Sequence, residues 1–215
     1  MFSALIQSGK DVFIDQNTKL KVYTEFLKKS KSVVEIKSSM EGNMCFSFAF
    51  TLGLAQLKDS TERNGLYKKF LKHAQRPTAD KVWRDTAVAL HATILELSPQ
   101  SFVTWREMKF LEQYYEVGIH VYNISGVKPH FTYHSSHSFG FTKHLYFLQI
   151  GHHVHYITNM TTVIRNFGRS GYLEYCENCY KVFDRRCIPA SGHICDDEND
   201  DESIDSTMCT IGNRF

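Results

Sequence analysis

The sequence has little cysteine, little net charge and no long apolar run. Its 215 residues carry six cysteines, and only Cys45 stands outside the C-terminal stretch that begins at Cys176. With 25 basic against 23 acidic side chains the formal net charge is +2, which removes whole-chain attraction to a polyanion as an argument for nucleic-acid binding. No segment approaches the ~20 consecutive apolar residues of a membrane helix. The opening Met1-Phe2-Ser3-Ala4-Leu5-Ile6 is too short for the apolar core of a secretory signal and runs into polar residues. These absences predict a soluble, intracellular chain, in nucleus or cytoplasm, with reduced thiols and no membrane partner. An apolar fraction of 42% is enough for one main core and a small module at this length.

What is present is unevenly placed. Basic residues gather over 19–37, 68–76 and 165–186, while 196–202 is almost wholly acidic. The acidic run cannot bury enough apolar surface to offset chain entropy, so 196–215 is expected to be a solvated, disordered tail. Cys176-Glu177-Asn178-Cys179 supplies two soft ligands two residues apart, the spacing of a knuckle whose sulfurs converge on one ion. His193 and Cys195 close a Cys3His set around Zn2+ after a short loop, with Cys187 competing for the closing position. Free surface thiols or a redox pair are the alternatives, and the polar, glycine-containing approach over 165–175 is not expected to form the strand that, followed by a helix opening at the motif, a thioredoxin-like site needs. Arg165, Arg169, Lys181, Arg185 and Arg186 surround the knuckle, with Tyr172, Tyr175, Tyr180 and Phe183 available to stack on bases or to close its small core.

Periodicity divides the remainder. Residues 20–36 are compatible with a strand or a short helix. From Cys45, apolar residues Phe46, Ala49, Phe50, Gly53, Leu54 and Leu57 recur at three and four, predicting a buried helix with Cys45 in its first turn and a stop at Lys58-Asp59-Ser60. Further helices are predicted over 66–73 and 79–97, with Pro77 between them and Thr78 as a cap. Another is predicted over 101–115, with Phe102, Trp105, Met108, Leu111 and Tyr115 on one side. Then the period changes to that of strands, over 118–124, 143–150 and 154–159. Helices first and an antiparallel sheet later predict an α+β domain.

That order carries chemistry. A cysteine heading a buried helix has its thiolate favoured by the unpaired amides and the positive helix end, which lowers the thiol pKa. A histidine on a downstream strand can supply the base. His155 is the candidate, and His153, two residues away, shares its strand face. Cys45 as a small core residue and the histidines as ordinary strand surface form the competing interpretation.

Five blocks carry a resemblance: Asn43-Met44-Cys45-Phe46, Val117 to Tyr122, His144 to Leu148, His155-Tyr156-Ile157-Thr158-Asn159-Met160, and Tyr175 to Cys179. In order and spacing they are similar to the region upstream of the protein-primed family B DNA polymerase of Polinton/Maverick transposons and related virus-like elements. The first and fourth blocks also resemble the ovarian-tumour-type and other papain-like cysteine peptidases. The resemblance implies a papain-like helix bundle packed on an antiparallel sheet over 40–164, preceded by an extension over 1–39 and followed by a zinc knuckle over 165–195. By the same carry-over Cys45 is the nucleophile and His155 the general base. This chain has Glu41-Gly42-Asn43-Met44-Cys45 where the peptidases have Asp-Gly-x-Cys, and Ile157 where they place an orienting Asn or Asp. Asn159 can serve as orienter only if the strand bends, and a missing orienter lowers the expected rate. No family B polymerase motif is present, so a separately encoded accessory protein, a remnant and a fragment all fit. Two functions are therefore expected to compete. One is an accessory binding module linked to a replication protein, with nucleic acid at the knuckle. The other is an active peptidase acting on a ubiquitin-like protein.

Overall fold

The computed structural model describes residues 23, 25–28, 30–37, 42–62, 65–74, 80–124, 130–136, 139–167, 173–176 and 182–184. The helical spacing that opens at Cys45 forms α1, Cys45–Glu62. Residues 46–53 are buried without interruption, because α1 lies between a sheet and further helices. Gly53 allows the close approach: a Cβ there would stand 2.9 Å from both Leu145 Cδ2 and Tyr156 Cε2 of the sheet. The polar run at 58–60 does not end α1. Asp59 instead reaches forward to cap α2, Leu66–Ala74, accepting from the amides of Leu66 at 2.9 Å and Tyr67 at 2.8 Å.

Helix α3, Lys81–Val88, is capped by Asp80, whose carboxylate accepts from the amides of Val82 and Trp83; Thr78 lies outside the described residues. Over Ala89–Ile94 the helix continues with π-type winding. His91, in that wider turn, is fully buried, with Nε2 donating to the Ser98 carbonyl at 2.8 Å and Nδ1 hydrogen-bonded to Ser47 Oγ at 3.0 Å. Helix α4, Trp105–Tyr115, starts four residues later than the spacing predicts. Its inward residues are Met108, Leu111 and Glu112, whereas Phe102 and Trp105 are exposed. Glu107 folds back on Thr104, accepting from its amide at 2.8 Å and from its hydroxyl. This capping box begins the helix at 105 and rotates the aromatic pair outward.

The main sheet contains β1 (Val33–Val34), β2 (Gly118–Asn123), β3 (His130–His134), β4 (His144–Ile150) and β5 (His153–Ile157), in the order β1-β5-β4-β2-β3. It is mixed rather than antiparallel, because β2 and β4 run parallel, with His120 opposite Tyr146. The reason is β3, a polar edge strand that pairs antiparallel with β2. Its His-Phe-Thr-Tyr-His sequence lacks a buried face, so the sequence does not announce it. Once β3 occupies the antiparallel side of β2, the chain returns along the other side in the same direction as β2. The observed class is thus α+β with a five-stranded mixed sheet.

Two apolar layers flank this sheet. Val121, Leu145, Phe147, Val154 and Tyr156 meet α1 and the helices behind it. On the opposite face Tyr122, Leu148, Ile150 and Ile157 meet Met160, Val163 and Ile164 of α5, Met160–Phe167. Residues 33–36 belong to this core rather than to an extension ending at 39: β1 pairs with β5, and Val34 and Ile36 are buried. Tyr23, in the same segment, donates its hydroxyl to the Ile124 carbonyl at 2.7 Å. A separate hairpin of β6 (Leu173–Tyr175) and β7 (Val182–Asp184) follows α5. Among the described residues, no helix is long and apolar enough to cross a membrane.

Candidate functional site

Asn43, Cys45 and Phe46 at the head of α1 form one wall of a cleft of about 660 Å³. The segment 102–108 supplies the opposite wall, and Val121, Asn123, Thr132, Tyr133, Gln149, His152 and Val154 of the sheet complete the lining. Among the described residues no carboxylate lines it, and Arg106 contributes a cationic side chain. The cleft walls are tied together at Gly42 and Asn43. The Asn43 amide donates to the Pro99 carbonyl at 2.8 Å, and its side chain donates to the Gln100 carbonyl at 2.5 Å. Gly42 has φ +59°, and a Cβ there would collide with the Pro99 carbonyl. Gly42→Ala is therefore expected to cost at least about 1–3 kcal/mol and to loosen the wall beside the thiol. Urea denaturation together with faster Cys45 alkylation would register both effects; unchanged stability would show that the turn relaxes freely.

Cys45 is the first residue of α1, as its spacing predicts. Its Sγ lies 3.7 Å from the His152 carbonyl. Burial pushes the thiol pKa upward, and hydrogen bonding from the Val154, Phe46 and Cys45 backbone offsets this only in part. The expected lowering by the helix end is real as a contribution but is outweighed by desolvation. Alkylation at neutral pH should accordingly be slower than that of a free thiol and still be rising above pH 9; a plateau below pH 8 would contradict the burial argument.

The structure does not bring His155 to Cys45. Along β5, Val154 and Tyr156 face α1, and the alternating residues face α5. His155 is opposite Leu148, which packs in the α5-side core. It is buried, and its Nδ1 accepts from the Ile36 amide at 3.1 Å. Burial, followed by the nearby His153 and Lys37 charges, lowers its pKa to about 3. His153 is exposed at the start of β5. Asn159 is no orienter of His155 here: β5 ends at Ile157, and the Asn159 side chain caps α5 by accepting from the Thr162 amide at 2.9 Å.

The imidazole that lines the thiol's cleft belongs to His152, in the β4–β5 turn, with its ring 5.9 Å from Phe102. Strand alternation could not point to it, because turn residues have no fixed face. The available signal was the turn itself, Gly151-His152-His153, between two strands. Glu112 was also absent from the sequence-based candidates. Buried, it accepts from the Ile119 amide at 2.9 Å and from the Tyr133 hydroxyl at 2.8 Å, locking α4 to the strands that form the cleft floor.

Of the expected zinc ligands, Cys176 is described and is partly buried immediately after β6, a short strand that the polar composition of 165–175 did not lead one to expect. Cys179, His193, Cys195 and the competing Cys187 lie outside the described residues. The β6–β7 hairpin brackets 176–181, and a turn between short antiparallel strands is a suitable frame for a Cys-x-x-Cys pair. Among the described residues no group of three or more potential ligands could hold a metal. Arg165 is exposed on α5, and the other basic residues around the knuckle lie outside the described residues. No family model matches the chain, and neither a curated protein nor a solved structure is found to be similar to it.

Proposed function

We propose that this chain is a binding module with papain-like architecture, derived from a mobile element or virus and acting beside a DNA replication protein. The observation that carries the proposal is the separation of Cys45 from His155 by the sheet: the thiol is raised by burial on one side, and the imidazole is committed to Ile36 on the other. A cleft of this size, apolar with several amides, suits an extended polypeptide from a replication protein or a ubiquitin-like partner. Cys176, Cys179, His193 and Cys195 are proposed to hold one Zn2+, which would staple a hairpin too small to build its own core. Native mass spectrometry should then show one metal per chain, lost together with the hairpin fold on chelation while the main core persists. A chain without metal, or whole-chain collapse on chelation, would remove this part of the proposal.

The central experiment exposes the full chain to ubiquitin carrying a thiol-reactive C-terminus and to a small alkylating agent. Labelling of Cys45 by the small reagent, without turnover of ubiquitin-type substrates, is the expected result. Robust turnover abolished by Cys45→Ala would replace the binding module by a cysteine peptidase. One observation favours that second reading: His152 borders the same cleft as the thiol. In that case His152→Ala would abolish turnover, whereas His155→Gln would act through stability alone.

A further inference from the structure

We propose that the Phe102 side chain is a gate over Cys45, closed in this structure against His152. The two rings come from opposite walls of the cleft, Phe102 from the segment that leads into α4 and His152 from the β4–β5 turn, with centroids 5.9 Å apart and planes inclined at 40°. Both line the cleft together with the thiol. His152 also carries the carbonyl that stands 3.7 Å from Cys45 Sγ, so the residue that Phe102 meets is the one beside the sulfur. Contact between an aromatic ring and an imidazole therefore bridges the cleft next to the thiol.

The part that can move is the ring rather than the wall that bears it. Upstream of Phe102, the Leu97 amide donates to the His91 carbonyl at 2.9 Å, and His91 Nε2 donates to the Ser98 carbonyl at 2.8 Å. The Pro99 and Gln100 carbonyls accept from the amide and side chain of Asn43 at 2.8 and 2.5 Å. Downstream, Val103 packs against the main core and Thr104 is held by its capping box with Glu107. Swinging this segment as a loop would break those contacts. Rotation of the Phe102 side chain, which is 51% exposed, breaks none of them, and exposed side chains change rotamer within nanoseconds. Turned outward, the ring opens the thiol end of the cleft to a bulky group; turned inward, it admits small molecules alone. The role of the gate rests on the reading of this cleft as a polypeptide site, but its presence is tested without an occupant.

The test treats the full chain with two reagents that share one reactive group, iodoacetamide and its fluorescein conjugate, and follows labelling of the Cys45 peptide by mass spectrometry. In both cases the sulfur displaces iodide and the thiol proton passes to solvent, so the ratio of the two rates reports reagent size. Phe102→Ala is expected to raise the fluorescein rate at Cys45 about 3-fold or more while the iodoacetamide rate changes less than about 2-fold. Phe110→Ala, exposed on α4 but outside the cleft lining, should alter neither. In a His152→Ala background, Phe102→Ala should shift the ratio less than it does in the parent, because the partner ring is already gone. Thermal melting verifies that the variants fold. The proposal is overturned if Phe102→Ala leaves the fluorescein rate unchanged, if it accelerates both reagents equally as a general loosening would, or if its effect is undiminished in the His152→Ala background. Any of these results leaves the binding module standing, whereas turnover of ubiquitin-type substrates would replace the binding module and leave the gate in place.

Discussion

Between pH 7.5 and pH 5.0, His155 alone is expected to remove about 2 kcal/mol from the free energy of unfolding. Its pKa is about 3 in the folded chain against 6.5 for an ordinary histidine. Below pH 6.5 the unfolded chain therefore binds a proton that the folded chain does not, and stability falls as pH falls. The loss accumulates down to about pH 3, where it approaches ~5 kcal/mol, and ceases once both states are protonated. Two features oppose protonation in the fold: the ring is buried, and its Nδ1 is already engaged as acceptor for Ile36. Urea denaturation at the two pH values checks the slope. His155→Gln retains an acceptor for the Ile36 amide but cannot titrate, so its pH dependence should be smaller by the same amount. An equal slope in both proteins would show that His155 is protonated without loss of its place in the core.

His155 also marks where reasoning from sequence succeeded and where it failed. The strand around it was legible because Val154, Tyr156 and Ile157 are β-branched or aromatic, and the paired strand β4 has the same character. The helix at Cys45 was legible because a three-and-four repeat is hard to reconcile with any other buried element. What alternation does not provide is the absolute face. It puts His153 and His155 on one side of β5 but leaves open whether that side meets α1 or α5. The choice depends on where Phe147 and Leu148 of the adjacent strand pack, a tertiary fact. The resemblance to papain-like peptidases favoured the α1 side; packing gives the α5 side.

The same limitation explains β3 and the start of α4. Residues 130–134 pair by backbone hydrogen bonding at an edge, where the side chains need carry no buried stripe, so the polar sequence gave no strand signal. At α4 a helical repeat from Phe102 would include two further aromatics, but the Thr104–Glu107 capping box fixes the first turn and releases Phe102 and Trp105 to the surface. Those displaced rings turn an expected packing face into an exposed one. The cleft shows a related gain in detail. Its head, Cys45, was evident from sequence, whereas His152, Arg106 and Gln149 meet there only because a turn, a helix start and a strand converge.

Trp83→Ala is expected to cost about 3–5 kcal/mol, the range for removing a large aromatic side chain from a packed core. Trp83 is fully buried where three helices meet. Its ring stacks on Phe70 of α2 at 5.7 Å and meets Phe48 of α1 edge-on at 5.3 Å. Its indole nitrogen donates to the Phe48 carbonyl at 3.2 Å and to Thr51 Oγ1 at 3.0 Å. Truncation therefore removes packing from α1, α2 and α3 together and leaves a cavity that no single flexible side chain can fill. Trp83→Phe should lose less, since it retains a ring between Phe70 and Phe48 while forfeiting the indole hydrogen bonds. Trp105→Ala provides the contrast: on an exposed face it should stay within about 0.5 kcal/mol of the parent. Equilibrium denaturation followed by far-ultraviolet circular dichroism measures all three variants without relying on tryptophan emission. A loss below about 1 kcal/mol for Trp83→Ala, or a loss at Trp105 as large as that at Trp83, would contradict the packing of the helical layer that positions Cys45.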